Sequence, residues 1–440
     1  MFPIMTGGNA MSDVIVIGGG ASGLAAAIEA ARGGCSVTVL EQKERTGKKI
    51  LATGNGRCNL TNLYMDPYAC YRGGNPGFTA QILEQVTVDE TLDWFRDLGI
   101  PTKDRNGYVY PRSDQAAAVA EALVLEAEHL GVKILCGFRA EAIVPVSRPN
   151  FKGFQVTGSR GDAEGLPAKK AGSHFRYEGN SLILAAGSKA APATGSDGSG
   201  YRLAESLGHE IVTPLPALVQ LVCRGRVFRQ LAGIRTDALV RLLLDGQETA
   251  RDRGEVQLTD YGISGIPVFQ VSRFASRGLH QGRLAEAVLD FLPDLAPEET
   301  VNVLFKRRER LAYRPGDTFL SGLLAKKLGC VLLSAAGISL TDPAGWISDK
   351  KLEKLAGQLK GFRTEVTGTK SFDSAQICCG GADVSQVDPA SMESKLHPGL
   401  YLTGELLDVD GICGGYNLQW AWSTGILAGR SAAGRKEEIV

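Results

Sequence analysis

Residues 14–41, VIVIGGGASGLAAAIEAARGGCSVTVLE, decide the fold. Val14 to Ile17 is a short apolar run, Gly18 to Gly23 a glycine turn, and Ala21 to Arg32 an alanine-rich helix that ends at Gly33-Gly34. Ser36 to Leu40 is the next buried strand. A β-α-β unit of this length requires parallel strands, so the chain begins an α/β sheet almost at its first residue. The turn reads G-x-G-x-x-G. Gly18 permits the tight bend, Gly20 lets a diphosphate approach the backbone, and Gly23 lets helix and strand pack closely. Ala21 and Ser22 complete the helix start, whose free N–H groups face the phosphates. Glu41 stands 18 positions after Gly23, at the end of the second strand, with Gln42 beside it. A carboxylate there accepts from both hydroxyls of an adenosine ribose and repels a 2′-phosphate.

The remaining 400 or so positions predict more than one core, because 440 residues exceed what a single compact unit encloses. Residues 79–98 read as one amphipathic helix and 113–130 as a second, after the strand Tyr108-Val109-Tyr110. Val132 to Leu135 rejoins the sheet; runs near 139–144, 153–157 and 173–177 suggest a meander leading into Ser181–Ala186 and Gly187. Past Gly208 short β-like runs dominate, 296–357 reads as helical with basic clusters, and strand character returns at Phe362–Val366. From Gly399 the pattern is again strand, then helix from Tyr416 to Arg430.

Lys plus Arg equals Asp plus Glu at 48 each, which predicts no global attraction to nucleic acid or to an anionic membrane. Residues 1–10 lack the basic start and apolar run of a leader, and no stretch is long and apolar enough to span a bilayer, so the expectation is a cytoplasmic protein. Nine scattered cysteines without C-x-x-C spacing read as reduced thiols, the adjacent Cys378 and Cys379 as buried strand residues, and no metal site is expected.

The glycine turn does not by itself separate FAD from NAD. Residues 48–62, KKILATGNGRCNLTN, do: a Gly/Asn-rich segment follows the second strand where an NAD domain starts its next helix. Lys49, Gly54, Asn55, Gly56, Arg57, Cys58 and Asn59 are the candidate cofactor wall, through backbone and amide hydrogen bonds and the charge of Arg57. At the other end, Gly404-Glu405 closes a strand and Gly414-Gly415 precedes a helix whose N-terminus favours negative charge on a reduced flavin ring. Asp408 or Asp410 is positioned for the ribityl chain, and Tyr416, Asn417 and Leu418 occupy the first turn.

With TDYGISG (259–265), MESK (392–395) and PGLYLTGELLDVDGICGGYNLQWAWSTGILAG (398–429), these motifs resemble the flavoprotein family of the YhiN, BaiN and aminoacetone-oxidase-like proteins, over nearly the whole chain. The resemblance implies a Rossmann-like FAD domain built from both chain ends (11–208 and 375–434), a β-barrel-like domain (209–295 and 358–374) and a helical insertion (296–357). It implies noncovalent FAD and hydride transfer with a small organic substrate: NAD(P)H-linked reduction of a conjugated C=C bond of bile-acid type, or alternatively oxygen-dependent amino ketone oxidation. An RNA-modifying flavoprotein is the rival from another class. Tyr261 or Tyr416 is the candidate proton donor, with Asp260 nearby. Two departures from the family pattern stand out. Asp260 replaces an expected histidine and Ser264-Gly265-Ile266-Pro267 an expected S-G-P, while Ala185-Ala186-Gly187 replaces A-T-G. Nothing in the sequence sets an oligomeric state.

Overall fold

The computed structural model describes residues 10–161 and 173–439, so the reading of the first residues as free of a leader lies, but for Ala10, outside the described residues. The chain divides into two compact units, Met1–Pro214 with Ile377–Val440, and Leu215–Gln376.

In the first unit β1 (Ala10–Ile17), α1 (Ala21–Arg32) and β2 (Val37–Glu41) form the expected parallel unit, with Val14 opposite Val37 and Ile17 opposite Leu40. The sheet runs Lys133–Cys136, β2, β1, His174–Leu184, Phe151–Arg160, Phe138–Arg148, with Leu400–Leu402 parallel to the end of His174–Leu184. The last three strands of that path are antiparallel. Residues 174–184 are one strand, where the sequence suggested separate segments: its first half pairs with Phe151–Arg160 and its second half with Leu400–Leu402, so neither half loses its ladder.

The two chain ends share this unit because the helix Tyr416–Ile439 crosses α1 at backbone distance. A Cβ at Gly425 would lie 2.3 Å from Ser22 O, and one at Gly429 2.4 Å from Ala26 O. Buried Trp420 and Trp422 then hold two loops, the indole N–H of Trp420 donating to Gly404 O (3.1 Å) and that of Trp422 to Leu60 O (3.0 Å).

One expectation needs correction. Residues 79–98 are not one helix but two, Pro76–Gln85 and Val88–Asp97. Thr87 is extended and its hydroxyl accepts from Glu90 N (3.2 Å), restarting the helix with a side-chain cap. The apolar stripe of Ile82, Leu83, Val86 and Phe95 is buried even so, because both segments pack on the same core.

The second unit contains a closed antiparallel barrel in the order Leu221–Cys223, Gly262–Ser264, Gln247–Leu258, Arg235–Leu244, Ala285–Asp290, Phe362–Thr369. A helix the sequence did not announce, Ile266–His280, starts with Pro267 in its first turn and buries Val268, Val271 and Ala275. Helices Pro297–Arg310, Lys326–Ala335 and Asp349–Lys360 follow. The basic cluster of the first is only partly a solvated face. Arg307 donates to Phe319 O and Ser321 O, and Arg308 to Ile347 O and Asp349, so two of its guanidiniums tie the unit together.

Among the described residues no helix is long and apolar enough to cross a membrane, and no group of three or more His, Cys, Asp and Glu converges as a metal site would.

Candidate FAD site

The glycine turn separates packing from binding. A Cβ at Gly18, where φ is +105°, would meet Ala185 O at 2.4 Å, and one at Gly23 would meet Gly18 O at 1.9 Å. Those two glycines let β1, α1 and the strand end at Ala185 touch. A Cβ at Gly20 meets nothing within 4 Å. Gly20 caps α1 without any side-chain hydrogen bond, so the donors of Ala21, Ser22 and Gly23 begin a helix that opens onto free space. That space is what a diphosphate requires.

Glu41 closes the far side of the turn. Its carboxylate is buried and accepts from Gly19 N (2.8 Å) and Lys43 N (2.7 Å). Burial raises its pKa, and the backbone hydrogen bonds oppose that shift. Each oxygen keeps a lone pair for a ribose hydroxyl. Glu41→Ala is expected to weaken FAD binding by about 1.5–3 kcal/mol, since the lost bonds have a charged acceptor. Equilibrium titration of apoprotein with FAD reads this directly; affinity unchanged within twofold contradicts it.

Residues 188–198 also reach this side of the site, and sequence reasoning had named only Gly187 there. Gln42 donates to Gly195 O and accepts from Arg139 Nη1 (2.6 Å), and Arg139 pairs with Asp197 (2.8 Å). A Cβ at Gly195 would lie 3.6 Å from Glu41 Oε1, so the loop covers the ribose acceptor. Gly187, at φ +70°, turns the chain into it.

The segment after β2 is a short helix, Lys48–Ala52, then a left-handed run: Gly54, Asn55 and Gly56 have φ of 56°, 54° and 82°, and Cys58 has 61°. Positive φ at two non-glycine residues within a few positions is backbone strain held by the surrounding loop. Burial pushes the Cys58 thiol up to about 12, so it stands as a neutral thiol. Arg57 lies over the Tyr110 ring, 5.2 Å from its centroid, and donates to Gly54 O. Lys49 reaches across to the other chain end, its Nζ 2.5 Å from Glu405 Oε2, which also accepts from Ser188 Oγ (2.8 Å).

In the C-terminal segment Gly404, at φ +65°, approaches Ser22 so closely that a Cβ would lie 2.6 Å from its Oγ. Gly414 and Gly415 bend the chain into the final helix against residues 59–62; Asn62 Nδ2 donates to Gly414 O (2.9 Å). Asn59 Oδ1, Thr61 Oγ1 and Thr403 Oγ1 are buried without hydrogen-bond partners among the described residues. Three unpaired buried oxygens on these strand ends, together with the cradle at Gly20, fit a polar dinucleotide.

Several predicted side chains are engaged in holding the loops. Asn417 makes a two-point bond to Gly411, accepting from its N (2.8 Å) and donating to its O (2.9 Å), which fixes the turn before the final helix. Asp408 Oδ1 accepts from Gly380 N (3.0 Å), and Asp410 is buried. Leu418 packs on the core. The Tyr416 hydroxyl donates to Tyr64 O (2.9 Å), and burial raises its pKa. In the other unit, the 259–265 stretch is no free loop: residues 262–264 are a barrel strand, and Asp260 and half-exposed Tyr261 sit in the turn that Thr259 N closes on Gly262 O. Lys370 lies 4.2 Å from the Tyr261 ring centroid.

The MESK motif is likewise structural. Ser394 Oγ bonds His209 Nε2 (2.9 Å), and Glu393 accepts from Gly399 N and Arg435. None of the nine cysteines is in a disulfide, and Cys378 and Cys379 are buried in the strand Ile377–Ala382. The Cys378→Ser, Cys379→Ser variant is therefore expected to reduce its flavin at the wild-type rate. A folded, flavin-loaded variant that stopped reducing its flavin would contradict this.

The family described as HI0933-like protein Rossmann domain matches residues 12–431. The chain is 47% identical over 427 residues to the 3-dehydro-bile acid delta(4,6)-reductase of Clostridium scindens, covering 97% of this chain and 100% of that one. It is 30% identical over 418 residues to the ribosomal RNA dihydrouridine synthase of Haemophilus influenzae (94% and 96% covered), and 27% over 420 to that of Escherichia coli. Among solved structures, the 3-ketosteroid-delta4-(5alpha)-dehydrogenase of Rhodococcus jostii RHA1 shares the fold at TM-score 0.51 and 17% identity, covering 98% of each chain. The family match over nearly the whole chain and the cradle at Gly20 lead to one conclusion: this protein belongs to the HI0933-like family and is an FAD-dependent oxidoreductase.

Proposed function

We propose that the chain reduces a carbon–carbon double bond conjugated with a carbonyl in an acidic steroid of bile-acid type, drawing electrons from NADH or NADPH. The observation that carries this reading is the 47% identity to the Clostridium scindens reductase over that protein's full length. The RNA-acting relatives support the same bond chemistry, because forming dihydrouridine also saturates a C=C bond conjugated with a carbonyl. The names differ in the molecule that carries the bond.

FAD, when bound, supplies the hydride for such a reduction; the protein's part is to hold the cofactor and deliver a proton. Gly20 and the α1 N-terminus take the diphosphate, Glu41 the ribose, and the N-terminal end of Tyr416–Ile439 favours negative charge beside it. Of the two tyrosines considered, Tyr416 already donates to a backbone carbonyl. Tyr261 is the other, its ring facing Lys370, and we assign it as the proton donor, with Asp260 beside it.

Reduction of uridine in ribosomal RNA is the second reading, favoured by the Haemophilus and Escherichia relatives. Parallel assays separate the readings, the reductions run without oxygen and the oxidation in air. With NADPH and a 3-oxo-4,6-diene bile acid, the account expects loss of the dienone absorbance and a product heavier by two hydrogens. Dihydrouridine formed in ribosomal RNA with the steroid untouched would favour the second reading, and peroxide formed from an amino ketone in air would favour the oxidase.

A further inference from the structure

The hairpin Thr102–Arg105 and Tyr108–Pro111 pairs Lys103 with Tyr110 and Arg105 with Tyr108, so these four side chains share one face. The alternate face carries Val109, which is buried, and Asp104 opposite it. The shared face lies against the candidate FAD site. Tyr110 is 3.6 Å from where a Cβ would stand on Gly54, and Tyr108 is 2.9 Å from one on Gly414. Arg57 from the left-handed segment and Arg105 from the hairpin both lie over Tyr110, at 5.2 and 6.0 Å from its centroid. The carboxylate in reach is that of Asp114, whose Oδ2 takes Lys103 Nζ at 2.6 Å and Arg105 Nη2 at 2.8 Å. Three cations thus meet one carboxylate on an aromatic surface, in a chain whose charges cancel overall.

We propose that this face binds the anionic end of a flat, ring-bearing ligand that enters beside the flavin segment, the oxyanion pairing with Lys103 and Arg105. Under the reductase reading above, on which the choice of ligand rests, the oxyanion is either the carboxylate of the acidic steroid or a phosphate of the nicotinamide donor. Both carry a ring system that can lie on tyrosine faces and an oxyanion that guanidinium and ammonium can pair.

The test uses the flavin-loaded Lys103→Gln, Arg105→Gln variant, whose side chains are at the surface and whose flavin content serves as the check on folding. Substrates are a 3-oxo-4,6-diene bile acid and its neutral methyl ester. A fall of about tenfold in kcat/KM for the acid, with the ester unchanged, identifies the steroid carboxylate. A similar rise in KM for NADPH, with the acid-to-ester ratio unchanged, identifies the donor phosphate. The Lys103→Arg, Arg105→Lys variant, which keeps both charges, is expected to restore whichever constant changed. Wild-type values for acid, ester and NADPH alike would overturn the proposal. If the wild-type protein turns over neither steroid, the reductase reading fails on its own. Calorimetric binding of acid, ester and NADPH then decides the site: loss of anion binding only in the glutamine variant supports it, and equal binding overturns it.

Discussion

Gly20→Val is expected to leave the apoprotein's melting temperature where it is and to weaken FAD binding by 10²-fold or more, whereas Gly23→Ala should destabilise the apoprotein itself. The two glycines belong to one motif and differ in what surrounds them. At Gly20 the backbone has φ −86°, a value any residue adopts, and an added Cβ touches no protein atom. Valine there costs the fold little, within about 0.5 kcal/mol, but fills the space in front of the helix N-terminus. Excluding the diphosphate from its donors corresponds to about 3 kcal/mol. At Gly23 the added Cβ stands 1.9 Å from Gly18 O and 3.2 Å from Ala185 Cβ. The nearest obstacle is backbone, so helix and strand must separate, at a cost of about 1–3 kcal/mol or more. Thermal unfolding of both apoproteins, with FAD titration of each, measures the two effects. A Gly20→Val protein that bound FAD normally would remove the cradle from the account.

Tyr261→Phe is expected to slow substrate-driven flavin reoxidation by 10²-fold or more at unchanged FAD occupancy, about the scale of a lost general acid. The substitution keeps the ring, and with it the Lys370 contact and the turn closed by Thr259 and Gly262, because those need no hydroxyl. Only the proton source is deleted. Tyr416→Phe, by contrast, breaks the bond to Tyr64 O and should lower stability first. Rapid-mixing reoxidation of reduced protein with substrate reads the rate; a wild-type rate in Tyr261→Phe eliminates that residue as donor.

Elements whose physics is local were legible in the chain itself. The phosphate turn, β2 and Glu41 follow from the spacing of a single strand-turn-helix-strand unit, and α1 ends where Gly33-Gly34 stops it. The break at Thr87 was also readable, since T87-V-D-E90 is a helix-start signal inside an otherwise continuous apolar stripe, and the stripe concealed it. Ile266–His280 was hidden by its β-rich surroundings, although Pro267 marks its first turn. What no local pattern carries is the cover over Glu41: Gln42, Arg139, Gly195 and Asp197 meet from three distant stretches. The loop-holding bonds of Asn417 and Asp408 were not legible for a related reason. Polar residues beside a ligand segment suggest ligand contacts, but tight loops need the same groups to satisfy their own backbone.

Single-turnover reoxidation shows whether reduced FAD held by this chain saturates a conjugated C=C bond. The purified flavoprotein is photoreduced without oxygen, so that no nicotinamide is needed, and mixed with one equivalent of a 3-oxo-4,6-diene bile acid. The expected result is return of the oxidised flavin spectrum together with one equivalent of steroid carrying two more hydrogens. Flavin that stays reduced with the steroid and recolours only when air is admitted would contradict it.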